Sequence, residues 1–293
     1  MIIVKIGGGA GINLRGAVED LARIDEPYLI VHGANARRDD LAKRLGVRLR
    51  TVTSLSGQAS VFSDEEAVDL LMMAYAGLAN KRIVELCQSR GINAIGLTGL
   101  DGRVIQGRRN AGIRVREDGR IKILRDRSGK PVRADAGLLR LLMDNGYVPV
   151  LTVPLVDEWG EAINSENDDV VAILQRDLGA DAVVMLIEAP GLLRDAGDEG
   201  SVAASLRPED LASWEKAVSG RMRRKLRALR TLFENGVARV VLADGRREHP
   251  ILDALESRGT VIVRGERRGP GSGVFRTAAA DSLIAAEGGN DGS

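Results

Sequence analysis

The first nine residues, Met-Ile-Ile-Val-Lys-Ile-Gly-Gly-Gly, constrain the fold of this chain more than any other stretch. Residues 1–6 are apolar and mostly β-branched, which predicts a buried central strand. Lys5 is the only charged residue in that strand, so its ammonium group must be paired or directed at a ligand. Gly7, Gly8 and Gly9 follow directly and let backbone N–H groups approach an anion closely. A phosphate satisfies both features; the alternative is a purely structural strand and turn, with Lys5 extending from the strand end.

Two common glycine motifs for nucleotide binding are absent. The G-x-G-x-x-G spacing of dinucleotide-binding proteins fails because Ile12 stands where its last glycine should be. The only Gly-Lys pair, Gly129-Lys130, is followed by Pro131 instead of Ser or Thr, which excludes a P-loop. A dinucleotide-dependent oxidoreductase is therefore disfavoured.

Composition narrows the class of protein further. The 293 residues are 44% hydrophobic, enough for one large or two ordinary domains with a sizeable core. Lys and Arg number 42 against 41 Asp and Glu, and aromatic residues make up 3%. A chain without a strong positive charge and with few aromatic side chains is not expected to bind nucleic acid.

Cysteine and histidine are too scarce for disulfides or a Cys/His metal site. Cys87 is the single cysteine and lies in an apolar helical pattern, so we expect a core thiol. The histidines are His32 and His249. The apolar start is too short for a signal peptide, and no run approaches eighteen apolar residues. We therefore expect a cytoplasmic protein that does not enter a membrane.

Apolar strands alternate with helical patterns along most of the chain, which predicts an α/β fold with a mainly parallel sheet. The predicted strands cover residues 1–6, 28–31, 93–97, 148–153, 182–187, 237–243 and 260–263. Several end in small-residue turns, such as His32-Gly33-Ala34. In a parallel sheet these turns share the carboxyl edge, where open α/β sheets bind ligands.

Two segments depart from this rhythm. Residues 64–90 read as one long helix that begins at Asp64 and breaks near Gly77. Residues 103–124 read as short antiparallel strands with Asp118-Gly119 as a hairpin turn. The second segment is rich in arginine, which indicates either a solvated face or a surface for an acidic partner.

The motifs at the strand ends resemble those of the amino acid kinase family over about residues 1–264. The matching segments are Lys5-Ile-Gly-Gly, His32-Gly33-Ala34, Asn164 to Asp168, and Gly220-Arg-Met-Arg-Arg-Lys225. Residues 74–86, 94–103 and 107–109 are most similar to the acetylglutamate kinase branch, and within it to kinases of carrier-protein lysine and arginine biosynthesis. The resemblance implies a three-layer αβα sandwich with a substrate and oligomerisation half (1–155), a nucleotide half (156–264) and a flexible tail (265–293).

The resemblance also implies phosphoryl transfer from ATP, with Mg²⁺, to a carboxylate. Lys5 and Lys225 would clamp the transferring phosphoryl group, and Asp168 would keep both ammonium groups charged and oriented. The acceptor would be bound by Gly33, Ala34, Asn164 and position 61, and the nucleotide by Lys5, Gly7, Gly8, Glu188, Gly191 and Lys225. Mg²⁺ would be held mostly by the phosphates, without a protein metal site.

The substrate end departs from the family pattern. Val61 stands where an arginine is expected to bind the α-carboxylate of the substrate, Ala34 replaces a glycine, and Glu166 and Glu188 replace other residue types. We expect an N-blocked aminoadipate or glutamate as acceptor, linked to an acidic carrier protein that meets the basic clusters Arg37, Arg38, Arg108 and Arg109. The alternatives are an acetylglutamate kinase acting on the free acid, and an enzyme or sensor of this fold for another ligand. A homodimer through the first half is also implied.

Overall fold

In the computed structural model, which describes residues 1–264 apart from positions 56, 58, 118 and 219, the first strand lies inside a large sheet. The strands of the described chain are β1 (Ile2–Ile6), β2 (Tyr28–His32), β3 (Thr51–Thr53), β4 (Ala59–Val61), β5 (Ala94–Thr98), β6 (Ile105–Arg109), β7 (Ile113–Glu117), β8 (Arg120–Leu124), β9 (Gly129–Ala134), β10 (Val148–Thr152), β11 (Leu155–Val156), β12 (Ala162–Ile163), β13 (Ala182–Ile187), β14 (Ser205–Leu206), β15 (Arg239–Asp244) and β16 (Thr260–Val263).

The α-helices of the described chain are α1 (Leu14–Leu21), α2 (Asn35–Leu45), α3 (Glu65–Leu71), α4 (Asn80–Gln88), α5 (Ala136–Asp144), α6 (Asn167–Leu178), α7 (Leu211–Ala217), α8 (Gly220–Glu234) and α9 (Pro250–Leu255). A π-helical stretch, Met72–Ala79, joins α3 to α4. None of these helices is long and apolar enough to cross a membrane.

Eight strands form the central sheet in the order β14-β16-β15-β13-β1-β2-β10-β5. Neighbours run parallel from β5 to β15, and β16 is antiparallel to β15. The predicted mainly parallel α/β sheet is confirmed. Since β1 lies between β13 and β2, the turns that follow these three strands lie side by side at the carboxyl edge.

Helices cover both faces of the sheet, which confirms the three-layer αβα architecture. Along β1, Ile2, Val4 and Ile6 pack in a core with α1, α4 and α9. Ile3 packs on the opposite side, in the core that contains α5, α6 and α8. Because side chains alternate along a strand, Lys5 shares the face of Ile3. Its ammonium group therefore points toward α6 and α8.

The long helix predicted for residues 64–90 is present, but the predicted break near Gly77 is wrong. Asp64 caps α3 as expected, with its carboxylate accepting from the Ala67 N–H at 3.0 Å. Through Gly77 the chain continues in the π-helical stretch instead of breaking. A wider helical turn keeps the backbone groups hydrogen-bonded where a break would expose them.

The antiparallel excursion predicted for residues 103–124 is confirmed and is larger than expected. β7 pairs with β8 as a hairpin in which Glu117 lies opposite Arg120; position 118 of the predicted turn lies outside the described residues. β6 pairs with β9, a strand that the sequence analysis did not predict. The tail at 265–293 also lies outside the described residues, and the division into two halves at residue 155 stays a prediction.

A buried carboxylate joins the helices on one face of the sheet. Asp20 at the end of α1 is fully buried and accepts from the Ile251 and Leu252 N–H groups at 2.9 and 3.2 Å, so it caps α9. Its other oxygen accepts from His249 Nδ1 at 2.9 Å. All these donors lose a charged acceptor if Asp20 is replaced.

We expect Asp20→Ala to lower the free energy of unfolding by about 2–4 kcal/mol, because buried N–H groups then have no partner. Urea unfolding of the variant and the parent measures the difference. Asp40→Ala, which removes an exposed carboxylate 3.9 Å from Arg44, is the control and should leave the midpoint unchanged. An unchanged midpoint for Asp20→Ala would contradict the role given to this carboxylate.

Candidate active site

Three charged residues from distant parts of the chain meet at the carboxyl edge of the sheet. Lys5 Nζ lies 3.1 Å from Asp168 Oδ1, and Lys225 Nζ donates to Asp168 Oδ2 at 2.9 Å. The residues come from β1, the first turn of α6, and α8. The structure thus brings together the three catalytic residues predicted from the sequence, with the carboxylate between the two ammonium groups.

The electrostatics of this cluster keep its charges in place. Burial alone would raise the pKa of Asp168, but the ammonium groups of Lys5 and Lys225 outweigh it and hold that pKa well below its usual range. Burial and the nearby Lys5 charge lower the pKa of Lys225, while Asp168 opposes that shift. The carboxylate is therefore an anchor for two cations and not a proton acceptor at neutral pH.

The first two glycine turns fit against each other so closely that side chains are excluded. A Cβ atom on Gly8 would lie 2.6 Å from the Ala34 nitrogen, and one on Gly33 would lie 3.0 Å from the Gly8 nitrogen. The Ala36 N–H donates to the Gly8 carbonyl at 2.9 Å and fixes the contact. None of Gly7, Gly8, Gly9 and Gly33 has a left-handed backbone, so close approach and not φ requires these glycines.

The amides of these turns differ in what they can bind. The Gly33 N–H donates to the Ile6 carbonyl and the Gly7 N–H to the Leu186 carbonyl, each at 3.0 Å. The Gly8 N–H has no partner among the described residues. Of these three amides, only the Gly8 N–H is therefore free to bind an anion beside Lys5.

Ala34 does not adopt the left-handed backbone that favours glycine. Its φ is −151° at the N-cap position of α2, so the glycine expected there is not required by a positive φ. The preceding His32 is fully buried, with Nδ1 3.2 Å from the Gly33 carbonyl and Nε2 3.1 Å from Asn80 Nδ2. Burial lowers the pKa of His32 to about 4. A neutral imidazole that contacts the Gly33 carbonyl and Asn80 supports the turn.

The segment before Asp168 presents polar atoms that lack partners. Asn164 Nδ2 donates to Ser63 Oγ at 3.1 Å, which ties this segment to the one that follows β4. Ser165 Oγ and Asn167 Oδ1 are buried and have no hydrogen-bond partner among the described residues. Buried polar atoms of this kind are normally satisfied, so they leave room for hydrogen bonds to water or to a polar ligand. Sequence reasoning identified Asn164 but gave neither of the other two a binding role.

Val61 brings no charge to the site, but an arginine from another element approaches the same hairpin. Arg224 Nη2 donates to the Ala59 carbonyl at 3.3 Å, two residues before Val61 on β4. Its Nη1 is hydrogen-bonded to the Glu166 carboxylate. The guanidinium thus links α8, the segment before Asp168 and the β3–β4 hairpin. Its position next to Lys225 in the sequence was the available signal, but the hairpin contact was not predictable from it.

Glu188 and Gly191 occupy different surroundings. Glu188 Oε1 accepts from the Gly11 N–H at 2.6 Å, and a Cβ on Gly9 would overlap its carboxylate. Glu188 therefore covers the glycine turn after β1. Gly191 instead packs on Thr260 of β16, where a Cβ would lie 2.7 Å from the hydroxyl oxygen. Its contact with a nucleotide stays a prediction.

A cleft of about 640 Å³ opens next to the Asn164 segment. Its walls are formed by Phe62, Ser63, Asp64, Glu65, Arg109, Asn110, Ala111, Arg125, Asp126, Arg127 and Trp159. Arg109 is already neutralised, with Nη2 2.8 Å from Asp157 and 2.6 Å from Glu161. Since Ser63 both lines the cleft and accepts from Asn164, the cleft adjoins one residue of the predicted acceptor site.

Comparison with known proteins identifies the family of this chain. The sequence profile described as "Amino acid kinase family" matches residues 1–244. The "[LysW]-aminoadipate kinase" of Thermus thermophilus is 41% identical over 268 residues, covering 89% of this chain and 100% of that protein. The acetylglutamate kinase of Methanopyrus kandleri is 32% identical and covers 89% of this chain and 100% of that protein.

Solved structures show the same fold at low identity. The carbamate kinase of Giardia superposes with a TM-score of 0.62 at 12% identity, over 90% of this chain and 98% of that chain. Together with the sequence matches, this establishes that the chain belongs to the amino acid kinase family. Lys5, Asp168 and Lys225, the three charges that the resemblance implied, are present in this chain.

The lowered pKa of Lys225 predicts an alkaline limit to turnover. Loss of its proton removes a charge from the site, so kcat should fall as pH rises through a pKa below that of an ordinary lysine. Asp168→Asn removes the charge that favours the ammonium form of Lys225, so the alkaline fall of kcat should occur at lower pH. The pH dependence of kcat at saturating substrates measures both effects. Glu234→Gln, which changes an exposed acid of α8, is the control, and an identical limb in Asp168→Asn would contradict the assignment.

Proposed function

We propose that this protein is an ATP-dependent kinase that phosphorylates the side-chain carboxylate of an N-blocked acidic amino acid. The acceptor is aminoadipate or glutamate linked to a LysW-type carrier protein, and the product is an acyl phosphate of lysine or arginine biosynthesis. The observation that carries this proposal is the Lys5–Asp168–Lys225 cluster beside the free amide of Gly8. The Thermus thermophilus relative, at 41% identity, supports the choice of acceptor.

The reaction follows from the charges at the site. A carboxylate oxygen of the acceptor attacks the γ-phosphorus of ATP, and the bond from that phosphorus to the β,γ-bridging oxygen breaks, so ADP leaves. The acceptor is ionised at neutral pH, so no general base is needed. Charge develops on the transferring phosphoryl oxygens, where Lys5, Lys225 and the Gly8 N–H stabilise it. Asp168 pairs with both ammonium groups, at 3.1 and 2.9 Å, and so holds them next to each other.

The acceptor lies on the side of the cluster formed by Asn164, Gly33 and Ala34. The unpartnered atoms of Ser165 and Asn167 supply hydrogen bonds to its amide and carboxylate groups. Arg224 brings a guanidinium to the hairpin where Val61 stands in place of the family's arginine. Its charge is shared with Glu166, so binding of the α-carboxylate by this arginine of α8 requires that the ion pair opens.

The nucleotide lies on the opposite side, in the half formed by residues 156–264, bordered by Gly7, Gly8, Glu188 and Gly191. Mg²⁺ neutralises charge on the phosphates when it is bound. No cluster of three or more His, Cys, Asp or Glu residues suited to a metal ion occurs in the described chain. Phosphate oxygens are therefore its main ligands in this proposal, because both oxygens of Asp168 face ammonium groups.

The partner of the enzyme is an acidic carrier protein, and the enzyme works as a homodimer in the cytoplasm. The basic clusters predicted to meet the carrier differ in availability. Arg38 is paired with Asp39 at 2.7 Å and Arg109 with Asp157 and Glu161, whereas Arg37 and Arg108 are exposed. Phosphorylation of free N-acetylglutamate is the second candidate, which the 32% identity to the Methanopyrus kandleri enzyme supports.

Hydroxylamine trapping tests the proposal. The enzyme is incubated with Mg-ATP and, separately, with carrier-linked aminoadipate, carrier-linked glutamate, free N-acetyl-aminoadipate or free N-acetylglutamate. We expect hydroxamate with the carrier-linked acceptors. Lys5→Met is the control and should lower turnover by about 10²–10³-fold, as expected for loss of a transition-state charge donor. Hydroxamate with only the free acids would refute the carrier, and none with any acceptor would refute the acyl kinase.

A further inference from the structure

The β7–β8 hairpin has one face whose side chains have no role in the site described above. Arg114 lies opposite Ile123 and Arg116 lies opposite Ile121 in the antiparallel pairing. Directly opposed residues point to the same side of a sheet, so these four side chains form one surface, which we call the hairpin face. On the other side Val115 is buried. Along its edge, β7 pairs through its backbone with the segment at Ser54 and Leu55. The hairpin is therefore anchored through Val115 and this edge.

The hairpin face combines free positive charge with exposed apolar area. Ile121 and Ile123 are 51% and 62% exposed. Arg114 and Arg116 are exposed, and neither guanidinium has a hydrogen-bond or ion-pair partner among the described residues. Two neighbouring exposed isoleucines on a sheet are unusual for a purely solvated surface. Arginine together with apolar side chains is typical of the centre of a protein interface.

The ends of the hairpin border the cleft that adjoins Asn164. Asn110 and Ala111, just before β7, and Arg125, just after β8, line that cleft. Ser63, which accepts from Asn164, lines it as well. A protein bound to the hairpin face is thus placed to send a flexible, substrate-bearing segment through the cleft to Asn164.

The arginines of the hairpin face differ from Arg38 and Arg109 in that their positive charge is available to a partner. Arg38 and Arg109 are held by carboxylates of this chain, so their charge is largely neutralised before a partner arrives. Arg114 and Arg116 retain theirs. An acidic partner therefore gains more from the hairpin face than from those two arginines.

We propose that the hairpin face binds the folded body of the acidic carrier protein, through its carboxylates and an adjoining apolar patch, while the tethered acceptor enters the cleft. This inference rests on the proposed function and assigns its partner to a surface. Electrostatic attraction of this kind mainly accelerates association, so kcat/KM for the carrier-linked acceptor should fall steeply with ionic strength.

The test compares Arg114→Glu/Arg116→Glu with Arg23→Glu/Arg44→Glu. The control reverses two exposed arginines near the opposite, amino edge of the sheet. We expect the hairpin variant to lose about 10–100-fold in kcat/KM for the carrier-linked acceptor. Its ADP affinity and its turnover of free N-acetyl-aminoadipate should stay within about twofold of the parent. The control variant should keep both activities.

Ile121→Ser/Ile123→Ser tests the apolar contribution. It should lower kcat/KM for the carrier-linked acceptor while leaving the salt dependence as in the parent, because no charge changes. The arginine variant should lose most of that salt dependence. Together the two variants separate the charged and apolar parts of the surface.

Other outcomes would overturn the inference. The hairpin variants could keep full activity on the carrier-linked acceptor while Arg37→Glu/Arg108→Glu loses it. The carrier would then bind at Arg37 and Arg108 and not at the hairpin face. If the arginine variant loses as much kcat/KM on the free acceptor as on the carrier-linked one, the hairpin face does not act through the carrier. If the variant changes its oligomeric state but keeps its activity on the carrier-linked acceptor, the face is a contact between subunits. A parent enzyme inactive on every carrier-linked acceptor would refute the proposed function itself, and this result is obtained before any variant is made.

Discussion

The structure depends on an ammonium group placed inside the central strand of its sheet. Lys5 is flanked by apolar residues that must be buried for the sheet to form, so it cannot reach water without disrupting β1. Asp168 offsets the cost of burying that charge, and the same carboxylate binds Lys225. The requirement to pair one lysine therefore fixes the first turn of α6 and the position of α8 over the same face. Both helices are held at the carboxyl edge as a consequence.

The glycine turns complete this arrangement by letting two strand ends approach each other. The Gly8 and Gly33 turns are in backbone contact, and no side chain fits between them. This contact leaves the Gly8 amide next to Lys5, where it faces any anion that the ammonium groups attract. Because the turns carry no side chains here, backbone N–H groups and buried cations form the site. Such a site is suited to phosphoryl oxygens.

Local patterns in the sequence predicted seven of the eight strands of the central sheet, since periodicity and glycine turns are properties of neighbouring residues. The short strand β14 was not predicted. Lys5 was predicted as a site residue for the same reason, because a single charge in a buried strand needs a partner. Contacts between distant segments were not predictable in this way. Arg224 reaches β4, and Glu188 covers Gly11, through pairings that only the folded chain defines. The π-helical stretch was also missed, because a residue pattern does not distinguish one wide turn from a break.

Lys5 and Lys225 are proposed to stabilise the charge of the transferring phosphoryl group more than they stabilise bound ATP. Titration of the parent and of Lys225→Met with ATP, and with MgADP–aluminium fluoride plus acceptor as an analogue of the transition state, measures this difference. Lys225→Met should lose about 10²–10³-fold in affinity for the analogue and much less for ATP. Equal losses for both ligands would contradict this proposal, because Lys225 would then bind ground state and transition state alike.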